Sequence, residues 1–316
     1  MSEMRIEMPR RVRIVEVGPR DGLQNEPSQV SADVKAELIE RLIDAGVRYV
    51  EAASFVSPKW VPQMADGAQV LERVAAKARA THTTLAALVP NMKGLEAALA
   101  SRVDEIAVFA AASESFSQKN INCSIDESIA RFAPVIAAAR EANVRVRGYV
   151  SCVLGCPFEG EIAPQAVARV ASKLFDMGCY EISLGDTIGA GTPSKTQAML
   201  DACIEHIPVA ALAGHFHDTW GMAAANVHAA LQRGVAVFDS SVSGIGGCPY
   251  SPGATGNVAT EDIVYLCDGM GIETGIDLNR LAQAGAFISA ALKRETSSRA
   301  ARALEARRRR HEQQCN

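Results

Sequence analysis

Two histidines separated by one residue, His215 and His217, are the side chains of this chain best suited to binding a cation. They end the apolar run Val209–Gly214, a pattern that predicts a buried strand. Side chains at positions i and i+2 of a strand leave the same face, so both imidazoles would point to one side and Phe216 to the other. Two converging neutral imidazoles form half of a metal site. On these three residues alone, two histidines that simply pack at a strand end explain the pattern equally well.

An adjacent arginine and aspartate, Arg20 and Asp21, follow the first predicted strand, Val12–Val17, after a Gly-Pro turn. A carboxylate in this position can bind a cation, and a guanidinium can stabilise a developing oxyanion. Both are requirements of metal-assisted carbon chemistry. A solvated Arg–Asp pair is the alternative interpretation, because exposed turn charges are common.

A glycine-rich segment, Gly244–Asn257, follows the strand-like run Val235–Val242. Such a segment can bring its backbone close to a ligand, and it would present Cys248 at its tip. It has neither the GxxxxGK[ST] nor the GxGxxG spacing of phosphate-binding loops. The amide oxygen of Asn257 is a suitable ligand for a divalent cation, whereas the alternative for any loop asparagine is a turn residue.

Two more carboxylates stand where predicted strands end. Glu51 ends the run that begins near Val47, and Asp186 follows the strand-like run that begins near Tyr180. Carboxylates at strand ends are usually solvated. The argument for a site therefore rests on how many polar side chains occupy such positions.

Strand-like and helix-like segments alternate along the whole chain. Strand candidates begin near Val12, Val47, Thr84, Glu105, Val144, Tyr180, Ala211 and Ala236. Helical patterns between them include Ala32–Ala45, Ser124–Ala142, Pro164–Met177 and Met222–Arg233. Eight strands alternating with helices predict an α/β fold, the closed (β/α)8 TIM barrel, with its active site at the C-terminal ends of the strands. All the candidate residues above lie at such ends.

The 316 residues, 48% of them hydrophobic and with a net charge of −4, are enough for one large domain. We expect a single catalytic domain over residues 1–296, including its C-terminal helices, followed by a basic and flexible tail over residues 297–316. That tail could form a fraying helix or stay disordered. We interpret its run Arg307–Arg310 as a solvated tail rather than a nucleic-acid or membrane site.

Composition also limits the cellular context. No apolar run reaches the roughly 18 residues of a membrane span, and Met1–Arg13 is charged without the apolar stretch of a secretory signal. Nothing indicates nucleic-acid binding. The eight cysteines show neither CxxC spacing nor the density of a disulfide scaffold, so we expect reduced thiols and a cytoplasmic protein.

Seven segments, read together, identify a resemblance. They are VGPRDGLQNE, EAASFVSPKWVPQM, KNINCSIDES, RGYVSCVLGCPFEG, EISLGDTIGAGTP, GHFHDTWG and GGCPYSPGATGNVATED. From about residue 12 to residue 296 the chain resembles the 3-hydroxy-3-methylglutaryl-CoA lyase family of metal-dependent barrel enzymes. The resemblance implies cleavage of (S)-3-hydroxy-3-methylglutaryl-CoA to acetyl-CoA and acetoacetate, a step of leucine degradation and ketone-body formation.

A divalent cation follows from the residue types and from this resemblance. Asp21, His215, His217 and Asn257 would supply two nitrogens and two oxygens, leaving positions on a six-coordinate ion for substrate and water. Mg²⁺ or Mn²⁺ is the expected ion, although imidazole nitrogens also suit Zn²⁺, Co²⁺ and Ni²⁺. A structural zinc site would instead be a closed tetrahedral set rich in cysteine.

The resemblance also implies catalytic roles. Arg20 would stabilise an enolate oxygen, a charge that exists mainly in the transition state and intermediate. Asp186 and His215 are both candidates for the base that removes the hydroxyl proton, and Glu51 would orient Arg20 or a metal-bound group. Cys248 is the candidate acid that protonates the acetyl-CoA carbanion while its loop closes over the substrate.

Substrate binding needs further contacts. Besides Arg20, the candidates are Lys119 and Asn120, in a predicted loop over Ser113–Cys123 just before a helix start at Ser124. A solvated lysine explains Lys119 equally well. The expected partner is thus a small acyl-CoA, and a homodimer is the default assembly for such barrels.

An alternative function is that of a related acyl-CoA carboligase, or of a lyase for another 3-hydroxyacyl-CoA. A carboligase would share the metal ligands but would be expected to carry a second region after the barrel.

Overall fold

The computed structural model describes residues 8–247 and 256–315. Eight parallel strands close into a barrel in chain order, and the last strand pairs with the first. The strands are β1 (Arg13–Glu16), β2 (Tyr49–Ser54), β3 (Thr84–Leu88), β4 (Glu105–Ala111), β5 (Arg145–Ser151), β6 (Glu181–Asp186), β7 (Leu212–Phe216) and β8 (Val237–Ser240). The prediction of a (β/α)8 TIM barrel is confirmed.

Eleven α-helices of the described residues surround the barrel or follow it. They are α1 (Ala32–Asp44), α2 (Gly67–Ala80), α3 (Met92–Ala100), α4 (Glu114–Ile121), α5 (Ile125–Glu141), α6 (Pro164–Asp176), α7 (Pro193–Ile204), α8 (Ala223–Leu231), α9 (Thr260–Gly269), α10 (Leu278–Leu292) and α11 (Arg299–Cys315). The four helical patterns predicted from the sequence correspond to α1, α5, α6 and α8. None of the helices within residues 8–247 and 256–315 has both the length and the apolarity needed to cross a lipid bilayer.

The main apolar core lies between the barrel and its helices. It contains Leu38 and Ile39 of α1 together with Val50 of β2 and Phe216 of β7. Alternate strand residues, such as Val15 and Ala213, form a separate small cluster on the opposite face of the strands, which is the barrel interior. Buried charged side chains occupy the rest of the barrel interior, beneath the site at the barrel mouth.

One predicted loop is a helix. The prediction of a loop over Ser113–Cys123 is wrong, because Glu114–Ile121 form α4. The Ser113 hydroxyl accepts the backbone N–H of Phe116 at the start of the helix, and Asn122 ends it in the left-handed conformation at φ 51°. These end signals are local, but the segment has little apolar periodicity to reveal the helix between them.

The basic tail is helical over Arg299–Cys315, which is one of the two alternatives predicted for it. The first turn of this helix is held by Asp262 at the start of α9, whose carboxylate accepts the Ser298 hydroxyl at 2.7 Å and the Ala300 N–H at 2.8 Å. The flexibility of residues 297–316 and the domain boundary at residue 296 stay predictions.

Candidate metal centre and active site

The structure brings Asp21 and the two histidines together at the mouth of the barrel. One ligand atom from each of Asp21, His215 and His217 lies within 4.8 Å of the other two. The two imidazole rings are 5.3 Å apart between centroids, while Phe216 is buried in the outer apolar core. The alternation of side chains at the end of β7 therefore gives the predicted convergence, and the turn after β1 supplies Asp21 from a distant part of the sequence.

Asn257 lies beside this group and is 4% exposed. Its Nδ2 donates a hydrogen bond to Asp21 Oδ2 at 2.8 Å, and its backbone forms a bridge with His217. Its Oδ1 accepts no hydrogen bond from the described residues. A buried amide oxygen without a partner is unfavourable unless a ligand occupies it. The residues present therefore fit a divalent cation bound by two imidazoles, one carboxylate and one amide oxygen.

The backbone next to Asn257 requires glycine. Gly256 has φ +86°, and a Cβ atom on it would lie 2.5 Å from the carbonyl carbon of Gly246. The backbone at Gly256 thus lies closer to the backbone at Gly246 than a residue with a Cβ atom would allow. This approach holds Asn257 against Asp21.

The charges of the group suit metal binding. Burial would raise the pKa of Asp21, but the Arg20 guanidinium and the two histidines lower it to about 2. Burial and the neighbouring His215 lower the pKa of His217 to about 4. At neutral pH the pair therefore offers a carboxylate and a neutral imidazole, which are the forms that bind cations.

Arg20 and Asp21 lie in a π-helical turn, Gly18–Gly22. The backbone N–H groups of Arg20, Asp21 and Gly22 all donate to the carbonyl of Val17, at 3.1, 2.7 and 3.2 Å. Such wide turns are rare and are found frequently at functional sites. Here the turn places two successive charged side chains at the barrel mouth, with Arg20 Nη1 at 2.7 Å from Asp21 Oδ1.

Arg20 is not a solvated turn residue, since its side chain is 7% exposed. Its Nη2 donates to Glu51 Oε2 at 2.7 Å, and the pKa of Glu51 is raised by burial against the opposing effect of Arg20. The Nε of Arg20 has no hydrogen-bond partner in the described part of the chain. The arginine is thus held by two carboxylates, and its Nε–H group is available to a ligand.

Asp186 ends β6 and is fully buried. Its carboxylate accepts the backbone N–H groups of Ala190 at 3.2 Å and Gly191 at 2.9 Å, so it shapes the segment that leads to α7. Burial raises its pKa to about 6 in spite of these hydrogen bonds. A carboxyl group that titrates near neutral pH suits a general base.

His215 has only one ring nitrogen free for chemistry. Its Nδ1 lies 3.1 Å from Asp239 Oδ2, and β7 and β8 are paired so that His215 and Asp239 are direct neighbours. Burial lowers the pKa of His215, but Asp239 outweighs this effect and raises it. The other nitrogen can bind a cation or accept a proton, but it cannot do both at once.

Three residues of this region, Arg147, Tyr149 and Asp239, were not predicted from the sequence. The Arg147 guanidinium crosses the barrel interior and donates to Asp239 Oδ1 at 2.7 Å and to the Tyr149 hydroxyl at 3.0 Å. The Tyr149 hydroxyl in turn donates to Glu51 at 3.0 Å, which links the network to Arg20. The available signal was the presence of charged residues inside the otherwise strand-like segments RVRGYVS and VFDS.

Two predicted site residues lie outside this centre, and a third is not among the described residues. Lys119 and Asn120 are exposed on α4, and the Lys119 ammonium lies 3.6 Å from the centre of the Phe158 ring. Cys248 falls in residues 248–255, outside the described residues.

The six cysteines that the structure describes as free are all buried. Burial raises the pKa of Cys179 and of Cys203 to about 12 and that of Cys267 to about 11. Thiols of such high pKa form little thiolate at neutral pH, as expected for inert cysteines.

Known proteins match this chain over nearly its whole length. The HMGL-like family model matches residues 11–288. A hydroxymethylglutaryl-CoA lyase from Pseudomonas mevalonii is 60% identical over 296 residues, covering 94% of this chain and 97% of that protein. A 3-hydroxy-3-isohexenylglutaryl-CoA/hydroxymethylglutaryl-CoA lyase from Pseudomonas aeruginosa is 57% identical over 95% of this chain and 99% of its own.

A solved structure shows the same fold with a ligand present. The HMG-CoA lyase from Acinetobacter baumannii, in complex with coenzyme A and 3-methylmalate, has a TM-score of 0.87 and 35% identity over 93% of this chain and 95% of its own. The family match and the level of identity confirm the resemblance drawn from the seven segments. The chain therefore belongs to the HMGL-like family, in which these relatives are hydroxymethylglutaryl-CoA lyases.

Proposed function

We propose that this chain cleaves (S)-3-hydroxy-3-methylglutaryl-CoA to acetyl-CoA and acetoacetate by breaking a carbon–carbon bond next to the thioester. The observation that carries the proposal is the group formed by the half-buried Asp21 and the buried His215 and His217, with Arg20 ion-paired to Asp21. The names of the close relatives indicate the substrate. The reaction would serve leucine degradation and ketone-body formation.

A divalent cation, Mg²⁺ or Mn²⁺, would be held by Asp21, His215, His217 and Asn257. When bound, it would act as a Lewis acid that orients the substrate oxygens and lowers the pKa of the tertiary hydroxyl. The Asn257 Oδ1 supports this assignment, because it has no partner among the described residues and provides a ligand oxygen beside the Asp21 carboxylate.

The side chains of the protein carry out the proton and charge transfers. A base removes the proton of the tertiary hydroxyl, the C2–C3 bond breaks, and its electron pair moves onto the thioester as an enolate. Arg20 stabilises the enolate oxygen. Asp21 and Glu51 each accept a hydrogen bond from one terminal nitrogen, and the Nε–H group is a donor without a partner among the described residues. A donor fixed in advance in a buried site costs little reorganisation during the reaction.

Asp186 and His215 are the two candidates for the base. The free nitrogen of His215 belongs to the cation group, because Nδ1 is engaged by Asp239. This arrangement favours Asp186, whose pKa of about 6 lies close to neutral. Cys248 would then return a proton to the carbanion.

Contacts to the coenzyme A part of the substrate are assigned to Lys119 and Asn120 on α4. The buried reduced thiols support a cytoplasmic location. We also infer a homodimer, for which size measurement in solution at micromolar concentration is the test; a monomeric mass would contradict it.

The proposed function is tested by incubating the purified protein with the hydroxyacyl-CoA, with and without Mg²⁺, and measuring both acetoacetate and acetyl-CoA. Equal amounts of the two products, formed only with the cation, are expected. Consumption of an acyl-CoA and an oxo-acid to form a new carbon–carbon bond would instead identify a carboligase.

The substrate range requires a second measurement. The relative from Pseudomonas aeruginosa is named for 3-hydroxy-3-isohexenylglutaryl-CoA as well. A kcat/KM for that longer substrate above the value for the methyl compound would show that the chain acts mainly on another 3-hydroxyacyl-CoA.

A further inference from the structure

We propose that Asp239 is a positioning residue that holds His215 in the tautomer and orientation needed to bind the cation, and that Arg147 holds Asp239 in turn. The inference depends on the proposed function only in placing a cation at His215. It concerns residues that lie behind the cation group, inside the barrel.

The pairing of two strands places Asp239 behind His215. The register of β7 and β8 sets the two residues side by side, and Asp239 Oδ2 lies 3.1 Å from His215 Nδ1. Asp239 is 1% exposed, so no solvent molecule competes effectively for this hydrogen bond. A metal-binding histidine commonly donates its second ring N–H to such a carboxylate.

The Asp239 carboxylate is itself fixed by three further donors. Arg147 Nη2 donates to Oδ1 at 2.7 Å and Arg147 Nη1 donates to Oδ2 at 3.0 Å, which forms a two-point contact that sets the plane of the carboxylate. The Ser183 hydroxyl donates to Oδ2 at 2.7 Å. Paired with this guanidinium, Asp239 stays ionised and can only accept hydrogen bonds.

Because the Asp239 carboxylate can only accept hydrogen bonds, it determines the tautomer of the His215 imidazole. Because Asp239 cannot donate, His215 must carry its hydrogen on Nδ1, and the lone pair is then on Nε2. Nε2 is the nitrogen left to face Asp21 and His217. Without Asp239, the ring could rotate or take the other tautomer. The free energy needed to reorder the ring would then weaken cation binding.

Arg147 is well suited to hold Asp239 because it is itself immobilised. Its Nε donates to Glu181 Oε1 at 2.7 Å, and its Nη1 reaches the Tyr149 hydroxyl at 3.0 Å. It is among the largest fully buried side chains of the described residues. A planar guanidinium fixed at several points transmits a defined geometry to its partner.

The test is the affinity of the full chain for Mn²⁺ in the absence of substrate, measured by calorimetry or by the electron paramagnetic resonance of free Mn²⁺. Asp239→Asn keeps the size of the side chain but removes the obligatory acceptor. We expect Mn²⁺ binding to weaken by about 10- to 100-fold, the usual effect of removing such a partner. A change of less than threefold in a folded variant would overturn the proposal.

Glu105→Gln is the matched control, because it also replaces a buried carboxylate of the barrel by its amide. Glu105 pairs with Arg145 at 3.2 Å and, among the described residues, forms no hydrogen bond or ion pair with the cation group. It should lower the melting temperature without changing the affinity for Mn²⁺. If it weakened Mn²⁺ binding as much as Asp239→Asn does, general damage to the barrel would explain both results, and the proposal would fail.

Should Asp239→Asn not fold, the wild-type protein still decides the question. In protein labelled with ¹⁵N-histidine and kept at a pH where the ring is neutral, the His215 signals, assigned by their loss in His215→Asn, should show the hydrogen on Nδ1 before any metal is added. A hydrogen on Nε2 would overturn the inference. Because neither measurement uses the acyl-CoA, failure of the proposed lyase activity would leave both outcomes interpretable.

Discussion

Replacing Arg20 by glutamine separates a role in catalysis from a role in binding. Arg20→Gln keeps an amide donor but removes the positive charge that lies between Asp21 and Glu51. If that charge faces the enolate, kcat should fall by about 10²- to 10³-fold, or about 2.7 to 4 kcal/mol, as for the loss of one oxyanion donor. KM should change little, because the lost interaction is made mainly in the transition state.

The same substitution has a predictable cost in stability. Glu51 is 1% exposed and would lose its ion pair, keeping only the hydrogen bond from Tyr149. Burial already raises the pKa of Glu51, so its carboxyl group would take up a proton in the variant rather than stay charged. We expect the free energy of unfolding to fall by about 1 to 3 kcal/mol, the cost of a buried polar group that has lost its partner.

Steady-state formation of acetoacetate with saturating Mg²⁺ measures the catalytic effect, and denaturant unfolding measures the effect on stability. Arg145→Gln is the control, since it removes a half-exposed arginine from the opposite end of the barrel and should leave kcat unchanged. The double variant Arg20→Gln/Glu51→Gln should recover stability without recovering kcat. A normal kcat with a raised KM for Arg20→Gln would refute the reasoning and would assign Arg20 to coenzyme A binding.

Dialysis against a chelator should abolish turnover, and Mg²⁺ or Mn²⁺ should restore it; full activity of the metal-free protein would contradict the metal site. His217→Ala should raise the half-saturating metal concentration at least about tenfold, because it removes a ligand. Alkylation should inactivate the enzyme through Cys248 first, and Cys248→Ala should lose about 10²-fold in kcat while still binding Mn²⁺; near-normal turnover would exclude it as the acid. Burial raises the pKa of Glu16 to about 7 from 4.5. Its neutral form is therefore favoured in the folded state, and stability should fall by up to about 3 kcal/mol as the pH rises from 4.5 through 7. Glu16→Gln should flatten this decrease in thermal unfolding curves, because an amide does not titrate. Its oxygen can accept the Gly18 and Val242 N–H groups, and its NH2 group can donate to the Thr260 hydroxyl, which donates to Glu16 in the wild type; an unchanged slope would show that another group causes it.

Much of this architecture could be predicted because its signals are local. Strands buried on both faces need continuous apolar residues, and so the predicted starts at Thr84 and Glu105 coincide with the observed ones. The spacing of His215 and His217 decides on which side of the strand they lie, whatever surrounds them. Parallel strands also end at one rim of a barrel, which is why residues far apart in the sequence could be assigned to one site.

Only the tertiary structure decided what lies behind that site. Whether Asp239 pairs with His215 depends on the register of β7 against β8, and whether Arg147 reaches Asp239 depends on the width of the closed barrel. Neither quantity leaves a pattern in a single strand. The sequence by itself thus determined the fold, the family and the residues at the mouth. The contacts of the buried charges followed from closure of the barrel, which brings together Arg147 and Asp239, 92 residues apart in the chain.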